Sequence, residues 1–581
     1  MTIFSSRVGR ARSAAGEGPG ALIRKAELPL AILAAAAGLY IFLSTVLMVV
    51  WCWTAIPYQD QWDNLILSFR EIWQSGPLTW LFRQHNEHRI AVPRLLFAID
   101  RFLFGTTNKF TFAYILINQL SLAALVAYLS GRGGGQRIAE RIWIAGVAFA
   151  LLFSAMQWEN LLWGFQVQFV GVDLAALATF AVLGLSRPGA APLTAVIVLA
   201  SIAVYTLASG ILVPFLAVPL ALWLRWPKRH VVVLGAAALG LLASYLYGYA
   251  TPRGHSDPIQ SIARLHELFS YLLAQIGLPF GMVFYVAHIP HLRSWDQVCG
   301  AVGIVLFAVA AITMLRRRER GGAIPVLGAT ALFVIGMALL AALGRLSFGV
   351  EQASSPRYST AGLLFWLALI VVATMWLRHR DARLRVAAMA AVLPLLLGLA
   401  YYQRSFLGVG RAWALPRLEA TTALLANVDD AEALARVYPD ASVPKDRAHL
   451  LRERHLSIFA DEWSNWLGTP LTDHARLGDP AQCRGSIDGA GTIGATDHHG
   501  WRANGWVWDP AHWQVPQRVV IADVSGRVVG YGLAEFPKGI SGRGANWHGH
   551  FLIGQPGLVS AFALLDNGRT ACPLGSFPVA P

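Results

Sequence analysis

LPLAILAAAAGLYIFLSTVLMVVWCW, Leu28–Trp53, is followed at once by TAIPYQDQWDN, Thr54–Asn64. The first run carries no charged side chain and exceeds the roughly 20 residues that an α-helix needs to cross a bilayer. Arg7, Arg10, Arg12, Arg24 and Lys25 precede it, and the positive-inside rule then places the tail 1–27 in the cytoplasm. A cleaved signal peptide has a shorter apolar core and a small-residue cleavage site, so the run reads as a retained first span. Asp60 and Asp63 stand where the chain emerges into water on the opposite side.

The rest of the chain extends this reading. Of 581 residues, 55% are hydrophobic and 14% charged, against about 25% charged in soluble globular proteins. Apolar runs of membrane-spanning length recur, each ended by charges, Gly or Pro. The fold class is therefore mainly α, a polytopic helical membrane protein with a C-terminal soluble β-sandwich-like domain. A formal net charge of +14 raises nucleic acid as a partner. The Arg and Lys residues, however, gather in short loops between apolar runs, where they set topology, and not on one soluble face. No nucleic-acid partner is expected.

The transmembrane domain is expected over 28–405, with a first external loop at 54–108. Within that loop Trp62, Leu65, Phe69, Ile72 and Trp73 recur at helical spacing, as in a helix lying on the membrane surface. A second interfacial helix is expected after Pro93, with Leu96, Phe97, Ile99, Phe102 and Leu103. Further spans read 110–130, 141–156, 165–185, 191–209, 211–224, 231–250, 297–315, 322–343, 359–377 and 385–402, giving about eleven in all. Residues 265–285 are apolar but contain Gln275, Gly277, Pro279 and Gly281. A crossing there would put Arg316, Arg317, Arg318 and Arg320 outside, so the segment is expected to be interfacial or re-entrant. The N-terminus is then cytoplasmic and the C-terminus external.

Beyond the last span, 406–475 reads as a helical connector and 476–581 as an external β-rich domain. RVVIADVSGRVVGYGLA, Arg518–Ala534, alternates across a Ser-Gly turn and predicts a hairpin within a small sandwich. Cys483 and Cys572 fall in this part and form a disulfide if it faces an oxidising compartment. Cys52 and Cys299, near span ends, read as packing residues.

Polar residues concentrated beside a bilayer mark candidate chemistry. Asp60 and Asp63, three residues apart, project from one face of a helix start. They suit a general base or a metal ligand, and equally a helix cap with a solvated neighbour. Of the two, Asp60 is the first choice for the base. His85, Asn86, Glu87, His88 and Arg89 form a second group, which can bind a phosphate and orient a sugar, tie two interfacial helices together, or join the aspartates around a divalent metal. The spacing lacks the zinc-binding HExxH pattern. A third group is QWENLLWGFQVQF, Gln157–Phe169, with Glu159 expected to face a cavity as a second carboxylate and Gln166 beside it. Trp158 and Trp163 also suit interface anchors. The fourth is GRLSFGVEQASSPRYST, Gly344–Thr360, where Arg345 and Arg357 lie on the external side against the usual charge bias. Guanidinium groups there match a lipid phosphate, with Tyr358 completing the pocket, or snorkel to headgroups. Trp501, Trp506, Trp508, Trp513 and Trp547 are dense in the C-terminal part and serve as strand core or as glycan contacts.

Together PYQDQWDN, QHNEHR, QWENLLWGFQ and the GRxxxGxxQAxxxRY-like run resemble the GT-C superfamily of polyprenyl-phosphate-sugar-dependent glycosyltransferases, in particular bacterial GT-C-like membrane proteins. The resemblance covers roughly the first 400 residues of the chain. It implies an enzyme of the bacterial plasma membrane that inverts at the sugar, with Asp60 as base and Arg345 or Arg357 on the lipid phosphate. The sequence has QDQ where some relatives have an adjacent acidic pair, which leaves Asp63 as the alternative base. Implied partners are a polyprenyl-phosphate-linked sugar, an external glycan or glycolipid acceptor, and membrane lipid. No nucleotide-sugar fingerprint is visible, so no nucleotide cofactor is expected. Burial among aromatics is expected to raise the basicity of the Asp60 carboxylate, tempered by Arg89. Two other classes stay open: a transporter or flippase for a lipid-linked glycan, and a non-catalytic envelope assembly protein.

Overall fold

The computed structural model describes residues 19–63, 73–74, 76–132, 134–251, 258–288, 292–480, 483–493, 500–536 and 544–579. Leu65, Phe69 and Ile72 of the first expected interfacial helix lie outside these residues. The long apolar helices are α1 Pro19–Trp51, α2 Lys109–Gly131, α3 Ile138–Leu152, α4 Val167–Leu185, α5 Ala190–Val204, α6 Leu212–Trp223, α7 Lys228–Leu246, α8 Leu265–Val286, α9 Leu292–Arg317, α10 Ala323–Arg345, α11 Ser359–Leu377 and α12 Ala382–Ala414. Among the described residues ten helices are long and apolar enough to cross a membrane, and Ala190–Val204 and Ala208–Trp223 are shorter apolar helices.

Small residues let these helices approach closely, as in bundles where packing replaces the hydrophobic driving force. A Cβ at Gly146 of α3 would lie 2.5 Å from the Ala34 carbonyl carbon of α1, so only glycine permits that crossing. Outward faces stay apolar: Leu39, Leu43 and Val50 of α1, and Val302, Val305 and Val309 of α9, are exposed.

The ends of the helices form two polar layers. At one end Arg385 donates to Glu27 (3.0 Å), Arg378 donates to Glu140 (2.9 Å) and the Trp223 indole donates to the Glu319 carbonyl (2.6 Å). At the other end the Trp53 indole donates to the Thr107 carbonyl (2.9 Å), and Val92 N donates to the Tyr205 carbonyl (3.0 Å). The first layer holds the basic loops and the second holds the candidate residues.

Helix α8 is continuous, with Pro279 inside it. Both of its flanks sit at the second end: Ser261 donates to the Leu343 carbonyl (3.0 Å), and Ser354 donates to Asp296 (3.4 Å) at the start of α9. The far end of α9 reaches the first layer, where Arg317 lies over the Trp376 ring. The helix Ala91–Phe104 buries Phe97 and Arg94 and exposes Leu95, Ile99, Phe102 and Leu103, leaving an apolar face outward.

The end of α12 and the architecture of the C-terminal part differ from the sequence reading. Helix α12 runs on to Ala414 and does not end near 402, because Gln403, Phe406 and Gly410 are buried against the core and extend its packed face. Among the described residues the C-terminal part is one curled sheet of eight strands, not a two-sheet sandwich, in the order β1-β8-β7-β4-β5-β6-β3-β2. These strands are β1 Arg476–Leu477, β2 Arg484–Thr492, β3 Gly500–Trp508, β4 Arg518–Ala522, β5 Val528–Ala534, β6 Ala545–Leu552, β7 Gly557–Leu565 and β8 Thr570–Val579. The expected hairpin is β4–β5, turned at Gly526 (φ 76°), where Asp523 caps the backbone. The Cys483–Cys572 disulfide ties the start of β2 to β8, drawing the two ends of the sheet together. Trp501 and Trp547 pack inside the curl.

The connector docks on the second polar layer. Gln59 N donates to the Val437 carbonyl (2.8 Å), and Ser457 N donates to the Gly105 carbonyl (2.7 Å).

Candidate functional site

Residues 84–90 join the short helix Pro77–Phe82 to Ala91–Phe104. His85 and His88 exchange backbone hydrogen bonds of 2.7 and 2.8 Å, so HNEH closes into a tight turn. Asn86 takes a left-handed conformation there (φ 47°), which asparagine tolerates better than most residues. Within the turn Asn86 Nδ2 lies 3.5 Å from His85 Nε2, and His88 faces Glu87, while His85 and Glu87 also reach other elements.

His85 Nε2 lies 3.4 Å from Asp60 Oδ2, and its ring meets Phe165 edge-on at 5.5 Å. The Asp60 side chain is 38% exposed, so it faces water and is not enclosed among aromatics as the sequence reading expected. Glu87 accepts from Arg345 Nε at 2.9 Å and from Arg345 Nη2. His88 Nε2 lies 3.3 Å from the same carboxylate oxygen, while His88 Nδ1 accepts from Ala208 N at 3.3 Å. His88 thus stands between the Ala208 N–H and the Glu87 carboxylate. Burial pushes the Glu87 carboxyl up, but its neighbours His88 and Arg345, the latter by charge and hydrogen bond, more than offset it and hold it at about 2. Glu87 is thus a fixed anion and a poor base.

Glu87, His88, Ser209, Arg345 and Tyr358 line a cavity of about 80 Å³. The Ser209 hydroxyl is buried without a hydrogen-bond partner, and the buried Tyr271 and Tyr358 hydroxyls face each other. Arg345 and Arg357 both bear electrostatically on Tyr271.

QWEN and PRYST form one assembly next to this cavity. Glu159 accepts from Ser355 Oγ (3.1 Å) and Arg357 N (3.3 Å), and pairs with Arg357 Nε (3.3 Å). Asn160 donates to the Arg357 carbonyl (2.8 Å) and Thr360 Oγ1 (2.7 Å), and Gln157 accepts from Thr360. Gln166 is buried, with its Oε1 unpartnered. Trp163 donates to the Tyr58 carbonyl (3.1 Å), carrying this group toward the Asp60 loop.

Two candidates face elsewhere. Arg89 donates to the carbonyls of Tyr245 (2.6 Å), Phe82 (2.7 Å) and Tyr247. It clamps the end of α7 to the turn and points neither to Asp60 nor into the cavity. Asp63 accepts from Tyr438 Oη (3.0 Å) and pairs with Arg447 (3.2 Å), both from the connector. Burial and the Asp63 carboxylate push the Tyr438 phenol up to about 12, which keeps it a donor. Asp63 is thus a brace between the loop and the connector.

Sequence reasoning missed Ser209, Tyr271, Tyr438, Arg447 and Arg417. Arg417 is buried between the rings of Tyr58 and Trp413, 4.1 and 4.2 Å from their centroids, and donates to the Leu162 carbonyl. A lone arginine in PRLEATTALL after an apolar helix was the available signal. Among the described residues no three His, Cys, Asp or Glu side chains converge as metal ligands do. In comparisons with known proteins, the chain matches no family model and no curated protein.

Proposed function

We propose that this chain is an integral membrane glycosyltransferase that moves a sugar from a polyprenyl-phosphate-linked donor to an external glycan or glycolipid acceptor. The observation that carries the reading is the His85–His88 turn, which joins a water-facing carboxylate, Asp60, to a cavity lined by a guanidinium, Arg345. Inverting transfer needs those two chemistries side by side: a base on the acceptor and positive charge on the departing phosphate.

In the proposed step the acceptor oxygen attacks the anomeric carbon while the bond from that carbon to the phosphate oxygen breaks. The hydroxyl proton passes to Asp60, held by His85. The electron pair leaves with the lipid phosphate, whose charge Arg345 and Arg357 oppose from their carboxylate-anchored positions. Glu87 and Glu159 fix those guanidiniums in place. Asp60 serves as the base in preference to Asp63, which the connector already occupies.

The proposed topology has eleven crossings: α8 does not change ends, and the other long and short apolar helices alternate between the two polar layers. The basic layer is cytoplasmic in this reading and the candidate site external, at the plasma membrane of a bacterium. The Cys483–Cys572 bridge fits an external, oxidising location for the sheet.

The test is transfer by purified protein in lipid nanodiscs, supplied with labelled polyprenyl-phosphate sugars and envelope glycans, with and without chelator. Asp60→Asn is expected to abolish release of the lipid phosphate. Full transfer by Asp60→Asn and by Asp63→Asn would sink the assignment.

A further inference from the structure

A cleft of about 600 Å³ opens between the second end of α1, the helix Pro416–Leu425 and the curled sheet. That volume is in the range of pockets that enclose small ligands, about 300–1,000 Å³. Its walls include Trp51, Trp463, Trp508 and Trp513, and its polar groups include Asp461, Gln517 and Arg518. It shares no lining residue with the Glu87–Arg345 cavity.

Two features point to a ligand. Trp508 and Trp513 stand at 88° with centroids 6.1 Å apart, so they form a corner of two flat aromatic faces. Trp513 is 70% exposed and held in the left-handed region (φ 51°), a conformation that costs a bulky residue energy. The loop is built to hold it there: Asp509 accepts from Ala511 N (3.0 Å) and His512 N (3.2 Å), and Asp509 and Gln514 exchange backbone hydrogen bonds. A large aromatic side chain presented to water at a conformational cost is what a recognition surface needs.

The chemistry of the walls selects the ligand. Sugar rings offer C–H faces that lie against aromatic rings, and equatorial hydroxyls that pair with planar amides and carboxylates. Asp461 is neutralised by Arg518 at 2.6 Å, and Arg518 lies over the Trp463 ring at 5.3 Å. The cleft therefore carries little net charge. We infer that the cleft between α1 and the curled sheet binds a neutral oligosaccharide, stacked on Trp508 and Trp513 and hydrogen-bonded by Gln517 and Asp461. The site binds without reacting and does not depend on the transferase reading.

The experiment titrates full-length protein in lipid nanodiscs with mannotriose, cellotriose, maltotriose and chitotriose, followed by tryptophan fluorescence and ligand-observed NMR. At least one probe is expected to saturate with a Kd of about 1 mM, weakened about tenfold by Trp513→Ala and by Gln517→Ala. Trp513→Phe keeps an aromatic face and is expected to retain binding. Asp60→Asn is expected to bind like wild type, which separates this site from transfer. Binding of none of the four probes, or equal binding by Trp513→Ala, would overturn the inference. So would quenching of Trp513 by brominated lipid, since the bilayer would then occupy the cleft.

Discussion

Arg345 and Glu87 are 258 positions apart in the chain, and Arg345 Nε donates to Glu87 Oε1 at 2.9 Å. Their side chains are only 16% and 19% exposed, so each charge depends on the other for solvation. The pair pins the end of α10 to the turn that also holds Asp60. Removing one partner strands the other, whereas replacing both with neutral groups does not. Arg345→Ala is therefore expected to lower stability by about 3 kcal/mol, and Arg345→Met with Glu87→Gln to recover most of it. Thermal unfolding in detergent reads both.

Asp60 and Asp63 separate by what holds them. Asp60→Asn is expected to leave the unfolding temperature unchanged while transfer falls by about 10²-fold or more, the usual contribution of a general base. Asp63→Asn weakens the contacts to Tyr438 and Arg447 and is expected to cost about 1 kcal/mol, with transfer lowered less. Paired unfolding and transfer assays distinguish them; the opposite ranking would make Asp63 the base.

Asp100 and Glu87 give opposite pH dependences. Asp100 is buried and accepts from Asn108 N and Phe110 N, both at 3.1 Å. Burial pushes its carboxyl up from 3.8 to about 6 against those backbone hydrogen bonds. A raised folded pKa means that its contribution is complete below the unfolded value and is lost as pH rises through about 6. For Glu87, lowered from 4.5 to about 2, stability is present above 4.5 and is lost as pH falls toward about 2. Asp100→Asn should flatten the neutral side of the stability profile and Glu87→Gln the acid side, measured as unfolding temperature against pH.

The Cys483–Cys572 bridge closes a separation of 89 residues. Loops of this size restrict the unfolded chain most, so Cys572→Ser is expected to cost about 4 kcal/mol. Limited proteolysis of the intact protein, with and without reductant, should show cleavage within 476–581 only when the bridge is open.

Much of the architecture was legible because it is local. Leu28–Trp53 is apolar at every turn, which decides a helix long and apolar enough to span a membrane without reference to any neighbour. Arg518–Ala534 alternates around Ser-Gly, which is enough for β4–β5. The basic loops sort to one layer because charge placement follows the chain order of the helices. The reading of 265–285 as interfacial or re-entrant rested on that same bookkeeping, whereas the segment folds as one helix, Leu265–Val286, that is itself long and apolar enough to cross a membrane.

Partnership was not legible, because it depends on which helix ends meet. Arg89 and Arg345 look alike in sequence, yet one holds three backbone carbonyls and the other lines the cavity. Asp63 carries the same chemistry as Asp60 but is taken by Tyr438 and Arg447, which the connector brings back across more than 370 positions. The sheet curls into one layer because Cys572 and β8 return to β2, a closure that strand periodicity does not encode. Patterning along the chain reports which faces are apolar, and so determined the helices, their order and the hairpin. Only the packed structure decided which charges neutralise one another, since that is set by distances between elements remote in sequence.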